Sequence, residues 1–430
     1  MMTNKLLIIS IDALGASRLS KQLNHLPNIQ QLIQTGTWIQ NVEAIYPSLT
    51  YPSHTTIVTG VYPSKHGIVN NTYRQPSKQS PDWFWYDQAI QSPTIYQLAK
   101  QQGLTTAAFL WPVTARSKID YNIAEIFPNR IWTNQVLVSL NASTPQFLIQ
   151  MNKRYGHLRR GIKQPFLDDF ITACAVDTIK SKKPDLTLIH LVDLDSACHA
   201  HGTDSKEANE ALLRQDKRIG LLLNALKEAC LAEQTNIAIL GDHSQLNVHT
   251  MIRLNAFFVQ KDWLKLTKKG RIPKKTPFYA KSADGSAYIY QQGDTKIKSD
   301  IIYQELLKIE GIESIYQQPV IHEMGADPEA LFMVEAKPGY YFIDEAVGHV
   351  IEKTNHQDIG QSERYRAVHG YHPSKDDYQT TLLFSGPDIK ENQRINQARL
   401  IDEAPTFAKL LKLNNFPKNS DGDVIQAIFK

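Results

Sequence analysis

The sequence predicts an α/β fold in which helices cover both faces of a doubly wound, mostly parallel sheet. Short apolar runs alternate along the chain with longer helical patterns, which is typical of parallel sheets. The first run, residues 6–11, is continuous and rich in isoleucine, as expected for a strand that is covered on both faces. In addition, Asp and His residues follow several of these runs, at the strand ends where open α/β sheets bind ligands.

The elements of the main domain follow in chain order. A first strand is predicted at 5–11, and a helix at 27–36 has proline at its start and glycine at its end. The remaining predictions are helix 94–102, strand 105–110, helix 164–181, strand 186–192, helix 205–230, strand 236–240, a final strand 381–384 and helix 402–413.

The regular alternation stops between residues 254 and 368. Strands are predicted at 286–290 and 314–320, a helix at 301–308, and a hairpin that pairs 331–335 with 340–344 around the turn at 337–339. We therefore expect a metal-binding catalytic domain formed by 1–253 and 369–430, and an inserted antiparallel α+β subdomain formed by 254–368. A second insertion, 117–164, is rich in aromatic and then basic residues and is predicted to be a solvated lid.

Composition excludes several classes of protein. The 430 residues are 42% hydrophobic and 21% charged, which suits a large folded core. The formal charge of +4 is too small to indicate nucleic-acid binding as the main role. Three cysteines without C-x-x-C spacing argue against a disulfide scaffold and a cysteine-ligated zinc. No signal peptide or membrane span is apparent, so we expect a soluble, cytoplasmic protein without membrane partners.

The segment 45–60 is the centre of the functional prediction. Thr50 lies between Pro47 and Pro52, which predicts a stiff, exposed turn. A helix is expected directly afterwards, with Ser53 as its N-cap and Gly60 at its end. A hydroxyl before a helix N-terminus lies where an anion is favoured, so Thr50 is a candidate nucleophile toward phosphate.

Acidic and histidine residues recur after the predicted strands. These candidates are Asp12, Asp195, His199, Asp242, His243 and His369. Three aspartates and three histidines suit two divalent cations with nitrogen and oxygen ligands. Zinc is favoured, and manganese or iron is possible. Two such ions can stabilise the attacking and leaving oxygens of phosphoryl transfer, and coordination can activate a threonine hydroxyl.

With these motifs, the chain resembles the alkaline phosphatase superfamily, and most closely its type I phosphodiesterase/nucleotide pyrophosphatase family. The resemblance covers nearly the whole main domain. It is carried by SIDALG, LPNIQQLIQTG, YPSLTYPSHTTIVTGVYPSKHGIVNN, DLDSACHAHG, LGDHSQ, VHGYHP and IDEAPTFAKLLKL. It implies an alkaline-phosphatase-like fold and a hydrolase that cleaves small phosphodiester or nucleotide-like substrates through a phosphothreonine at Thr50.

The resemblance also implies a role for each site residue. Asp195, His199 and His369 would hold the first metal, and Asp12, Asp242 and His243 the second, together with Thr50. Asn71 would donate a hydrogen bond to a phosphate oxygen, and the backbone N–H of Tyr51 would be another donor.

Several residues depart from the family pattern or lie next to it. Thr50 is followed by Tyr-Pro-Ser-His instead of Phe-Pro-Asn-His, and His190 stands where nucleotide-cleaving members place an aromatic residue, which argues against a nucleotide. His201 and His372 are predicted to be secondary to His199 and His369. The aromatic residues Trp83, Trp85 and Tyr86 are predicted to serve packing rather than stacking on a substrate.

Other functions fit the sequence less well than a phosphodiesterase. A sulfatase lacks support because its C/S-x-P-x-R motif is absent, and a phosphoglycerate-mutase-like isomerase would usually use serine. The main alternative is a phosphonate carbon–phosphorus hydrolase, with Arg74 or Lys65 holding a substrate carboxylate. A non-catalytic, metal-stabilised binding protein is a further alternative. The natural substrate and the oligomeric state do not follow from the sequence.

Overall fold

The computed structural model describes residues 5–127, 134–293 and 295–430. Residues 128–133 of the predicted 117–164 insertion therefore lie outside the described part. The described residues form sixteen strands: β1 Lys5–Ile11, β2 Gly36–Glu43, β3 Thr106–Phe109, β4 Tyr121–Ile123, β5 Leu186–Leu191, β6 Thr235–Leu240, β7 Leu246–Ile252, β8 Phe278–Ala283, β9 Ser286–Gln291, β10 Ile312–Gln317, β11 Phe332–Ala336, β12 Gly339–Phe342, β13 Ile351–Lys353, β14 Ala367–Val368, β15 Thr380–Ser385 and β16 Gln393–Arg399.

Helices occupy most of the connections between these strands. In the described ranges the α-helices are α1 Ala16–Gln22, α2 Pro27–Gln34, α3 Thr50–Thr59, α4 Pro63–His66, α5 Ile95–Gln101, α6 Gln135–Ala142, α7 Pro145–Tyr155, α8 Phe166–Lys182, α9 Asp193–His201, α10 Lys206–Glu228, α11 Leu254–Gln260, α12 Ser299–Leu306, α13 Gln318–Glu323 and α14 Glu403–Leu410. None of these helices has the length and apolar character needed to cross a bilayer.

An eight-stranded sheet in the order β16-β2-β15-β6-β1-β5-β3-β4 forms the centre of the molecule. All neighbouring pairs in it are parallel except those of β15, which runs antiparallel to both β2 and β6. The predicted doubly wound, mostly parallel sheet is therefore confirmed. Because β6, β1 and β5 are parallel neighbours, their carboxyl ends lie side by side at one edge of the sheet.

The first strand shows why both faces of this sheet are covered by helices. Leu7 and Ile9 of β1 pack into a cluster with residues of α2, α8 and α10. Leu6 and Ile8, which point to the opposite face, pack with residues of α3, α5 and α14. Because both sides are buried, the strand needs apolar residues at consecutive positions, as the sequence predicted.

A separate four-stranded antiparallel sheet, β10-β11-β9-β8, lies entirely within residues 254–368. It shares a hydrophobic core with α11 and α12. A third, small sheet combines β12 and β13 of this region with β7, which precedes residue 254. The exact division of the chain into domains stays a prediction.

The predicted hairpin around residues 337–339 is wrong. Strand β11 pairs with β10 and β9, whereas β12 pairs in parallel with β7. The turn is real, with Gly339 at φ +88°, but it carries the chain from one sheet into another. The predicted strand 314–320 also ends earlier, because Pro319 occupies the first turn of α13.

Candidate active site

The candidate metal ligands lie at the carboxyl ends of adjacent strands. Asp12 directly follows β1, and Asp242 follows β6 by two residues. Asp195 lies in α9, which begins two residues after β5 ends. His369 directly follows β14, whose partner β7 leaves the Asp242 loop. The neighbouring positions of β6, β1 and β5 in the sheet bring these loops together.

The first donor group consists of Asp195, His199 and His369, whose ligand atoms lie within 4.8 Å of one another. Asp195 and His199 are one turn apart on α9, with Oδ1 and Nε2 separated by 3.3 Å. Nδ1 of His199 donates to the carbonyl of Ala367 at 2.7 Å, which leaves Nε2 for the site. Burial would lower the pKa of His199, but Asp195 raises that pKa to about 9.

The second donor group consists of Asp12, Asp242 and His243, all of them buried and also within 4.8 Å. Nε2 of His243 lies 3.2 Å from a carboxylate oxygen of each aspartate. Burial, followed by the charge of Asp195, raises the pKa of Asp12 to about 7. Burial, followed by the charge of Asp12, also raises the pKa of Asp242.

The donor atoms themselves indicate that cations belong here. Among the described residues, Asp12 Oδ1, Asp242 Oδ2 and His243 Nδ1 have no hydrogen-bond partner although they are buried. Two buried carboxylates this close together repel each other, and a divalent cation would supply the opposing charge. The mixture of imidazole and carboxylate ligands suits zinc, and manganese or iron is compatible with it. The residues present therefore fit the metals that the sequence implied.

The two donor groups are adjacent, and the hydroxyl of Thr50 lies beside them. The rings of His243 and His369 are 4.1 Å apart between their centroids, which joins the second group to the first. Oγ1 of Thr50 lies 3.1 Å from Nε2 of His243. The predicted nucleophile and all six predicted ligands thus share one site.

Thr50 belongs to α3 itself, so the predicted exposed turn before a helix is wrong. The helix begins at Thr50, because the N–H of Ser53 already donates to the carbonyl of Leu49 at 2.9 Å. Pro52 is tolerated because N–H groups in a first helical turn have no partner within the helix. The whole helix is buried and ends, as predicted, at Gly60 with φ +70°.

The comparison with known proteins identifies the family. A family model described as type I phosphodiesterase / nucleotide pyrophosphatase matches residues 6–372. The chain belongs to this family. The resemblance that the motifs indicated is thereby confirmed.

Relatives of this chain in the type I phosphodiesterase/nucleotide pyrophosphatase family include large proteins. Human ectonucleotide pyrophosphatase/phosphodiesterase family member 1 is 29% identical over 248 residues, which are 55% of this chain and 23% of that protein. Venom phosphodiesterase 2 of Crotalus adamanteus is 28% identical over 249 residues, 55% of this chain and 26% of the venom protein. The match therefore spans about a quarter of each relative's length.

Solved structures of the same family share the fold. Murine ectonucleotide pyrophosphatase/phosphodiesterase 5 superposes with a TM-score of 0.70 at 18% identity, covering 99% of this chain and 100% of that one. The human counterpart gives a TM-score of 0.69 at 20% identity, with the same coverage. A murine threonine-to-alanine variant, described as inactive and in complex with AMP, gives 0.69 at 18% identity. The alkaline-phosphatase-like fold is thus confirmed.

The two phosphate donors suggested by the family pattern are arranged differently from the prediction. The backbone N–H of Tyr51 donates to Oδ1 of Asn71 at 2.9 Å, so this N–H is already engaged. Asn71 lines the cavity in front of Thr50, and its Nδ2 group is the remaining amide donor. The bond to Tyr51 fixes which end of the amide accepts and which donates.

His190 has a different role from the one that the family comparison suggested. Its ring is buried, and Nε2 lies 3.0 Å from Oδ2 of Asp12, while Nδ1 lies 3.1 Å from the carbonyl of Leu110. Burial would lower the pKa of His190, but Asp12 and Glu125 raise it. His190 therefore supports a candidate metal ligand and is not among the residues that line the cavity, so its identity is no argument against a nucleotide.

Two other residues, which the sequence motifs did not single out, contact the candidate ligands. Nε2 of Gln245 donates to Oδ1 of Asp195. Asp284, at the turn between β8 and β9, places Oδ2 3.6 Å from Nδ1 of His369. The only signal for Gln245 was its position at the end of the motif LGDHSQ, and Asp284 had none because it is distant in sequence.

A cavity of about 870 Å³ opens in front of Thr50 and is lined by both the main domain and residues 270–365. Trp83 lines it and packs on Tyr51 with ring centroids 5.2 Å apart. Trp85 is buried and Tyr86 contacts Arg116, so both serve packing as predicted. Trp83 is different because its ring forms part of the cavity wall.

The cations suggested for a phosphonate hydrolase do not line this cavity. Arg74 forms an ion pair with Glu329 and stacks on Tyr290. Lys65 is paired with Asp421. Neither can hold a carboxylate beside Thr50, which removes the argument that the sequence offered for that activity.

The two neighbouring histidines behave as expected. His201 is exposed at the end of α9. Nδ1 of His372 forms a hydrogen bond with the Ser374 hydroxyl at 2.6 Å. Neither belongs to a donor group in the described part of the chain.

Proposed function

We propose that this protein is a metal-dependent hydrolase that cleaves phosphodiester or phosphoanhydride bonds, with Thr50 as the nucleophile. The observation that supports it best is the 3.1 Å distance between Oγ1 of Thr50 and Nε2 of His243, within a site that holds two sets of three ligands. The names of the relatives, nucleotide pyrophosphatases and phosphodiesterases, support the same reaction class.

Each donor group would hold one divalent cation, and its mixture of imidazole and carboxylate ligands favours zinc. Asp195, His199 and His369 would bind the first, and Asp12, Asp242 and His243 the second. Three protein ligands per ion leave a position open, as is usual for catalytic zinc. When bound, such ions lower the pKa of a nearby hydroxyl and withdraw charge from phosphoryl oxygens.

The residues of the chain supply the remaining steps. The Thr50 oxygen attacks phosphorus, a new Oγ–P bond forms, and the P–O bond to the leaving group breaks. Asn71 is placed to donate from Nδ2 to a phosphoryl oxygen, and the positive end of the α3 helix dipole favours the same negative charge. Water then attacks the phosphothreonine and releases Thr50 with the phosphate product.

The substrate class proposed is a small phosphodiester or a nucleotide-like molecule. A cavity of about 870 Å³ accommodates a ligand of nucleotide size, and the ring of Trp83 offers a surface for stacking. The murine structural neighbour described in complex with AMP is consistent with this choice.

The test is Thr50→Ala, assayed with bis(4-nitrophenyl) phosphate after zinc loading. We expect turnover to fall by at least on the order of 10³-fold, because the covalent step is lost. The zinc content of the variant, measured by inductively coupled plasma mass spectrometry, should stay near that of the wild type. Thr59→Ala is the matched control, since among the described residues the Thr59 hydroxyl bonds only to the Thr55 carbonyl in the same helix.

Two results would contradict the proposal. One is a Thr50→Ala variant that keeps most of its activity. The other is a wild-type enzyme that fails to cleave the diester but releases phosphate from phosphonoacetate.

A further expected result is a covalent adduct at Thr50 in wild-type enzyme quenched with acid during turnover, detectable by peptide mass spectrometry.

A further inference from the structure

A strongly basic loop lies at the mouth of the catalytic cavity. Residues 264–275 contain six basic side chains and no acidic one. These are Lys265, Lys268, Lys269, Arg271, Lys274 and Lys275, and all six are exposed. We call this segment the basic loop.

The basic loop has a defined shape. Leu264 and Ile272 are buried in the core of the inserted subdomain and anchor the segment on both sides. Between them, Thr267 N–H donates to the Arg271 carbonyl at 2.8 Å, and Gly270 N–H donates to the Thr267 carbonyl at 2.9 Å. The cations are therefore held at an ordered turn, where their mutual repulsion opposes folding unless an anion covers them.

The charge of this loop is not neutralised by the surrounding protein. Within the described ranges, Lys261 just before the loop pairs with Glu305, whereas the six cations of the loop form no ion pair. Two acids of the cavity wall already have cationic partners: Lys281 pairs with Asp344, and two arginines pair with Glu345. The mouth of the cavity therefore has an excess of positive charge on this side.

The loop is continuous with the catalytic site. Arg271 and Ile272 line both the catalytic cavity and a shallow groove of about 440 Å³. The same groove is lined by Lys268, Lys269 and Lys274 of the loop and by Ser77 opposite. A molecule that leaves the cavity on this side therefore passes directly over the lysines.

We propose that the basic loop is an accessory anion site that binds phosphates of the substrate beyond the scissile bond. This inference rests on the proposed phosphodiesterase function and extends it to substrates with a chain of phosphates, such as an oligonucleotide end or a polyphosphate. Sequence-independent binding by several lysines is the expected mode, because the groove offers charge and few base-reading groups.

The first experiment measures binding without turnover. A fluorescein-labelled oligo-dT 12-mer is titrated by anisotropy into the Thr50→Ala protein, with and without Lys268→Gln, Lys269→Gln and Lys274→Gln. We expect the triple variant to bind about tenfold more weakly at low salt. The slope of log K against log[KCl] should fall by about two, at roughly 0.7 per lost phosphate contact.

The matched control changes three exposed lysines of α10 that lie outside the groove, as Lys206→Gln, Lys217→Gln and Lys227→Gln. This control should bind the 12-mer like the parent. Competition by inorganic polyphosphate would show that any phosphate chain is bound, and its failure to compete would restrict the site to nucleic acid. Either of these two results supports the accessory site.

Activity separates this proposal from the proposed function. When Thr50 is intact, the loop variant should cleave bis(4-nitrophenyl) phosphate at a rate within twofold of the wild type. Its kcat/KM for the longer oligo-dT 12-mer should fall. If the wild type cleaves no diester, the proposed function fails, but anisotropy still tests the loop. Unchanged 12-mer binding in the loop variant would overturn the inference. An equal loss of 12-mer binding in the α10 control would also overturn it. The same holds if the loop variant loses binding to phosphatidylserine vesicles but keeps 12-mer binding.

Discussion

Replacing His190 with phenylalanine tests how the second donor group is held. In the structure Nε2 of His190 lies 3.0 Å from Oδ2 of Asp12, and both side chains are at most 3% exposed. Phenylalanine fills a similar volume but removes the donor. The Asp12 carboxylate would then lose the contact that orients it within the second donor group.

The magnitude follows from the kind of bond that is lost. A hydrogen bond to a charged group contributes about 1.5–3 kcal/mol, and each 1.4 kcal/mol corresponds to a tenfold change in affinity. We therefore expect the zinc affinity of the second group to fall about 10- to 100-fold, in line with other outer partners of metal ligands. The first group, which His190 does not contact, should change little.

The assay is a two-site zinc titration in competition with a chromophoric chelator. His190→Gln should recover part of the affinity because its amide keeps an N–H donor. His66→Phe is the matched control, since this buried histidine bonds to Thr56 and Ile68 and, among the described residues, to none of the candidate metal ligands. If both zinc affinities of His190→Phe stay within twofold of the wild type, His190 does not position Asp12.

Three further variants test other supports of the site. Gln245→Met removes the donor to Asp195 and should weaken zinc binding at the first group by about tenfold in the same titration. Asp168→Ala removes the buried carboxylate that accepts two backbone N–H groups at the start of α9; urea unfolding should show a loss of about 3–5 kcal/mol, and Asp168→Asn a smaller one. Gly370→Ala should cost several kcal/mol in the same measurement, because φ is +83° and an added Cβ would lie 1.7 Å from the Ala283 carbonyl oxygen.

The candidate ligands could be found in the sequence because three of them follow a rule of topology. Asp12, Asp195 and Asp242 come after buried parallel strands, and the carboxyl ends of such strands meet at one edge. The order of the strands in the sheet was not needed for this prediction. The fold class was predictable for the same reason, since it depends on alternation that is visible locally.

The contacts behind the ligands could not be predicted in this way. The position of His190 beside Asp12 depends on the parallel register of β1 and β5, which pairs Ser10 with His190. Shifting that register by one residue would turn His190 to the other face of the sheet. The prolines around Thr50 were misleading for a different reason, because proline is compatible with a first helical turn as well as with an exposed turn.

The hairpin at 337–339 illustrates a third limit. Two β-rich segments separated by a short turn favour antiparallel pairing locally. Here each segment has a better partner elsewhere, since β11 lies between β10 and β9 while β12 extends the sheet of β7. Burial in two different sheets therefore decides the pairing, and this competition is not visible in the segment itself.

The predicted inserted subdomain, residues 254–368, does more than cover the cavity, because it also contacts a candidate metal ligand. The turn between β8 and β9 contacts the segment around His369 at three points. Gly285 N–H donates to the His369 carbonyl at 2.8 Å, Asp284 lies 3.6 Å from Nδ1 of that ring, and Ala283 packs directly against Gly370. Residues of the same subdomain form the basic loop and one wall of the cavity. A change in this subdomain would therefore alter the first donor group and the substrate-binding surface together.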